Sequence, residues 1–183
     1  MLPVLIILAI VAVLVVGYIS IYNGIVTARN RCDNAWQTID AQLQRRSDLI
    51  PNLVETVKAF AGHETEVFEA VSAARASMNS ARTPEAKMEA NDMLSGAINR
   101  LFAVAEAYPE LKSNANFLGL QNDLSDTENK VSYARMSFND VVLKYNNAIT
   151  TFPGSLVAGI AGFQPLNGFV ADVDARNAPK VQF

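Results

Sequence analysis

Leu5-Ile6-Ile7-Leu8-Ala9-Ile10-Val11-Ala12-Val13-Leu14-Val15-Val16 is the centre of a longer run, Leu2 to Tyr22, without a charged side chain. At 1.5 Å per residue its length is about 31 Å as a helix, the thickness of the hydrocarbon layer of a bilayer. It holds fourteen Leu, Ile or Val residues. Together these favour insertion by roughly 4 to 8 kcal/mol, which outweighs Pro3, Gly17 and Ser20. Tyr18 and Tyr22 stand at the downstream end, where amphipathic rings anchor among headgroups. A cleaved signal peptide fits worse, because a positive n-region is missing, the apolar run is too long and no Ala-x-Ala site follows. Residues 1–22 are therefore read as a transmembrane helix. Arg29 and Arg31 follow the span, whereas only the α-amino group precedes it. The positive-inside bias then predicts a single-pass protein with its N-terminus outside and its bulk in the cytoplasm.

Downstream the apolar spacing stays helical. Trp36, Ile39, Leu43, Ile50, Leu53, Val57 and Phe60 recur at steps of three, four or seven, so the first helix is expected to continue to about Ala61. Pro51 removes one backbone donor and predicts a kink, and Gly62 closes the helix. A second helix is expected over 63–80, with Val67, Val71, Ala74 and Met78 inward. Thr83-Pro84-Glu85 is a helix start: an N-cap, a proline at the first position and an acid against the dipole. The third helix then runs over 84–107, with Asn91 among its inward positions, and Tyr108-Pro109 ends it. A fourth is expected over 115–152, with Phe138, Val142, Tyr145, Ile149 and Phe152 on one face. Short loops make successive helices antiparallel neighbours. The fold class is thus all-α: an N-terminal transmembrane helix continuing into an antiparallel four-helix, coiled-coil-like bundle over 23–152.

The soluble part of the first helix and the whole of the fourth are each about 57 Å long, whereas the second and third are about 27 and 36 Å. A hairpin of the shorter pair leaves a two-helix stalk uncovered, which predicts that other copies, or another membrane protein, cover it. Asn23 and Asn30 are seven apart, as are Asn139 and Asn146. Pairing 23 with 146 and 30 with 139 sets one register, the role buried asparagines serve in coiled coils. That register brings Asp33 toward Arg135 and Asp40 toward Lys130. Arg46 falls on the apolar stripe between Leu43 and Ile50, so its charge needs a partner, and Glu128 is within reach. Arg45, Arg46, Asp48 and Glu128 are read as a structural polar network, with a ligand site as the alternative.

Residues 153–183 change character. The 27 residues between Lys144 and Asp172 are uncharged and include Pro153, Gly154, Gly159, Gly162, Pro165 and Gly168. Leu156, Ile160, Phe163 and Val170 recur at near-helical spacing. This tail is expected to be interfacial or packed on a neighbouring subunit.

The rest of the composition is restrictive. A net charge of −3 argues against a nucleic-acid partner. Cys32 is the single cysteine and lies on a core-side position, so it is read as packing rather than as a nucleophile. His63 is the single histidine; beside Glu64 and Glu66 it is a poor metal set and a plausible helix opener. The sequence carries no phosphate-binding loop, dinucleotide turn, nucleophile elbow or zinc spacing. Neither an enzyme nor a cofactor is expected.

Several stretches resemble the LemA family: Tyr22-Asn23 with Ala35-Trp36; Gln42 through Lys58, centred on Pro51-Asn52-Leu53; Ala107 through Lys112; Thr127 through Lys130; and Arg135, Phe138-Asn139, Tyr145-Asn146 and Phe152-Pro153. Phe138 replaces the tyrosine expected before Asn139. The resemblance covers nearly the whole chain. It implies an N-terminal anchor, a short exterior end and a helical bundle inside. The functions in view are a self-assembling scaffold at the bilayer, or an adaptor for another membrane protein such as a protease or signalling complex.

Overall fold

A computed structural model describes residues 1–169. Among these every regular element is helical: α1 (Leu2–Lys58), α2 (Thr65–Ser80), α3 (Pro84–Glu106), α4 (Pro109–Lys112), α5 (Ala115–Thr150) and α6 (Gly154–Ala161). The chain is all-α with a long apolar N-terminal helix, as the patterning implies. It divides into two units, Trp36–Tyr133 and Met1–Ala35 with Ala134–Phe183. Val170 and the rest of the expected tail, 170–183, lie outside the described residues.

In Trp36–Tyr133 the core is built from one stripe on each helix. Ile39, Leu43, Ile50, Leu53 and Val57 of α1 are buried with Phe68 and Val71 of α2, Leu94 and Leu101 of α3, and Leu124 and Val131 of α5. Each such side chain contributes about 1.5 to 3 kcal/mol by leaving water. α1 stops at Lys58, short of Ala61, because its last turn tightens: Phe60 and Ala61 both donate to the Val57 carbonyl. α2 starts at Thr65, two residues later than expected, and α3 starts as read, with the Thr83 hydroxyl accepting from the Ala86 N–H at 3.2 Å. After Tyr108, Pro109 opens the single-turn α4, whose Leu111 is buried.

α1 keeps its helical assignment through Pro51. The Ser47 carbonyl, which a residue other than proline at 51 would bond, instead accepts from Arg75 Nε at 3.1 Å. A side chain from α2 thereby satisfies the acceptor that the proline orphans.

The other unit holds the first turns of α1, none of whose most apolar window is buried. Past that window Ile25 and Cys32 are buried with Phe138, Val142, Tyr145 and Ile149 of α5 and Val157 and Ala158 of α6. α5 ends at Thr150, so Phe152, expected on its apolar face, stands 80% exposed instead. Pro153 has no N–H to extend the ladder, and the chain leaves the helix before Phe152 can turn inward. Gly154 is required here, since a Cβ would lie 2.0 Å from the Ala148 carbonyl oxygen. α6 closes at Gly162, whose φ of 77° is the left-handed C-cap that glycine adopts without strain.

Beyond Gly162 the described chain runs without regular structure along α5, where Phe169 meets Phe138 with ring centroids 5.0 Å apart.

Candidate functional site

Arg46 is the least expected residue of the bundle unit, being 4% exposed on the apolar stripe of α1. Its Nη1 donates to Asn91 Oδ1 at 2.6 Å and Ser95 Oγ at 2.9 Å, both on α3, and forms an ion pair with Glu128 of α5. Burial pushes the guanidinium below its ordinary pKa, opposed by Glu128 and then Asp92. Among the described residues Arg46 Nε is buried without a hydrogen-bond partner. A groove of about 360 Å³ lies beside this centre, lined by Arg46, Ser95, Asn99, Gln121, Ser125 and Glu128 among others. At the next residue of α1, the Ser47 hydroxyl donates to Asn79 Oδ1 at 3.1 Å. The cluster cross-ties α1 to α2, α3 and α5 through groups that have no equivalent partner in an apolar core, so it resists sliding of one helix past another.

The remaining members of the expected network do not join it. Arg45 is exposed, and Asp48 accepts from Gln44 Nε2 at 2.8 Å one turn away on α1. Asp40 pairs with Lys87 of α3, not with Lys130, which bonds Asp126 on its own helix at 2.6 Å. Asp33 pairs with Arg29 at 3.7 Å, while the Arg135 guanidinium lies 5.8 Å from the Phe169 ring centroid. Each of these charges finds a nearer partner on its own helix, on α3 or on the tail, so the asparagine register is not what neutralises them. Sequence reasoning placed Asn91 inward but did not connect it to Arg46. The available signal was a polar residue in each of two facing apolar stripes, since each needs what the other offers.

The asparagine pairing is likewise corrected. Asn146 Nδ2 donates to the Leu166 carbonyl at 2.8 Å and its Oδ1 accepts from the Leu166 N–H at 2.9 Å. Asn139 does the same with Phe169, at 2.8 Å in both directions. The Tyr145 hydroxyl donates to the Gln164 carbonyl at 2.9 Å, and the Arg29 guanidinium sits 5.7 Å from the Tyr145 ring centroid. Asn23 and Asn30 are exposed. The fit is metric. Seven helical residues rise about 10.5 Å, and the three steps from 166 to 169 span about 10 Å when extended. Two amides one heptad apart can therefore grip an extended backbone at every third residue. Gly168 permits the approach, because a Cβ would come within 2.8 Å of Asn139 Oδ1.

Cys32 is buried, with Sγ 3.4 Å from the Ala28 carbonyl oxygen, and burial raises its thiol pKa. His63 is exposed in the turn before α2. Among the described residues no three His, Cys, Asp or Glu side chains converge as a metal set would.

An exposed apolar N-terminal helix long enough to cross a membrane, a bundle tied by a buried arginine and a tail clasped by asparagines define a membrane-associated, all-helical protein. The LemA family model matches residues 35–183, and the chain belongs to the LemA family. It is 26% identical to magnetosome protein MamQ of Magnetospirillum gryphiswaldense, across 91% of this chain and 72% of that one. To protein LemA of Metamycoplasma hominis it is 23% identical, across 77% and 65%. To magnetosome protein MamQ 2 of Paramagnetospirillum magneticum it is 24% identical, across 78% and 62%. The chain thus spans just under two thirds of the last two relatives.

Proposed function

We propose that this chain is a membrane-anchored scaffold that self-assembles at the bilayer, with α1 spanning the lipid, the N-terminus outside and the bundle cytoplasmic. The observation that carries the reading is a stripe on α5. Met136 is 62% exposed and Leu143 60% exposed. At 100° per residue the two fall within about 20° of one another. The described part of the tail meets Phe138 and Tyr145 instead. A second copy laid against the stripe buries two large apolar side chains, which is a small gain in free solution. Anchoring confines copies to one plane in a fixed orientation, so a small contact suffices for association.

Native mass measurement of the full chain in mild detergent or lipid nanodiscs tests this. The expected result is a defined oligomer that the double substitution Met136→Glu and Leu143→Glu converts to monomer while helicity is retained. A strict monomer at micromolar concentration overturns the scaffold reading. A different membrane protein recovered on the α5 stripe by crosslinking in intact membranes assigns the adaptor role instead. Orientation is read separately, by labelling Asn23→Cys from either side of sealed vesicles.

A further inference from the structure

We infer that α6 is a second lipid-contacting element: an interfacial helix that lies in the bilayer surface beside the point where α1 leaves it. The inference rests on the membrane-anchor part of the proposed function and is independent of self-assembly. Leu156 and Ile160, one turn apart on α6, are 62% and 77% exposed, and Phe152, just ahead of the helix, is exposed as well. The opposite side of the helix is fixed against protein, with Gly154, Val157 and Ala158 buried. Gly154 leaves no room for a Cβ against Ala148, so α6 cannot roll its apolar side inward.

Its location decides what covers that side. Just past the Gly162 cap, the Phe163 ring centroid lies 5.6 Å from that of Tyr22, and Tyr22 stacks on Tyr18 at 6.3 Å. Tyr22 closes the uncharged run of α1, so these rings gather at the level where the apolar span ends and headgroups begin. α6 therefore continues an apolar surface that begins on α1. Ordinary interfacial helices carry charged side chains opposite their lipid face and sink about 5 to 10 Å into the headgroup boundary. Here the protein core stands in for that polar face, and α6 itself carries no charged residue. A docking face for a second protein would be expected to have a polar rim, and α6 offers only Ser155.

Tryptophan depth measurement tests the placement. In the full chain with Trp36→Phe, single tryptophans are introduced as Leu156→Trp, Ile160→Trp and, as the anchor reference, Leu8→Trp. The protein is reconstituted in phosphatidylcholine and phosphatidylglycerol vesicles containing lipid brominated near the headgroup or deep in the chain, and its helicity is checked. The expected result is roughly twofold loss of emission at 156 and 160 with shallow bromine, less with deep bromine and little with aqueous iodide. The reference at 8 should be quenched most by deep bromine. Quenching of 156 and 160 by iodide alone, or shielding from both quenchers as a protein neighbour would give, overturns the inference while the anchor stands. Failure of the reference at position 8 as well overturns the anchor and the inference together.

Discussion

Replacing Glu128 with Gln removes the carboxylate that forms an ion pair with Arg46 and changes almost nothing in volume. The Glu128 side chain is 48% exposed, so part of its interaction is screened, whereas the Arg46 side chain is only 5% exposed and bears the desolvation. Removing one partner of a fully buried pair costs about 3 to 5 kcal/mol. Half-exposure of the acid lowers the expected loss to about 2 kcal/mol, because water can approach the vacated side. Arg46→Met removes the buried charge but leaves Asn91, 1% exposed, without its donor, a loss of about 1 to 3 kcal/mol. With Arg46 gone, Glu128 has no buried cation to neutralise, so the double variant should be about as stable as Arg46→Met alone. The cycle therefore yields a coupling of about 1.5 to 2 kcal/mol between the two sites. Thermal loss of helical circular dichroism for the four proteins in mild detergent measures it. Additive single losses, or a Glu128→Gln protein as stable as the parent, would refute the assignment of Glu128 as the counter-charge that makes Arg46 tolerable in the core.

Asn146→Leu deletes both bonds to Leu166, a loss of about 1 to 3 kcal/mol, and should expose the chain near residues 164–166 to limited proteolysis while α5 stays intact; unchanged resistance would show that the amide does not hold the tail. Gly154→Ala should destabilise the α5–α6 junction by about 1 to 3 kcal/mol, visible as earlier cleavage between Thr150 and Gly162, because the added Cβ meets the Ala148 carbonyl. Cys32 should react with maleimide at neutral pH only on unfolding, since its raised pKa keeps it a thiol and the site is closed; a higher pH favours thiolate, yet labelling should stay slow until the helices separate.

What the sequence disclosed follows the range of the forces involved. The apolar run at 2–22, the Thr83-Pro84 start and the core stripes are local patterns of spacing, and each is legible without knowing what packs where. Arg46 was legible as a charge in need of a partner because its position on the stripe is itself a local fact. Its hydrogen-bond partners Asn91 and Ser95 depend on how α3 docks, which no local signal carries. The asparagines at 139 and 146 show a sharper limit. A heptad pair on a helix face is satisfied equally well by amides on another helix or by an extended backbone, and the sequence contains both. The choice falls to the tail because the chain turns at Gly162, a single left-handed residue whose placement periodicity does not report. Charges such as Asp40 and Lys130 were mispaired for a related reason: complementary partners are available at several spacings on exposed helix faces, and proximity selects among them.

Self-assembly is tested most directly by a thiol on the open α5 stripe. With Cys32 buried, Leu143→Cys gives one accessible thiol, and mild oxidation of intact membranes should join two copies of this chain through residue 143. Recovery of uncrosslinked chain alone, or of 143 joined mainly to a different protein, would contradict the scaffold.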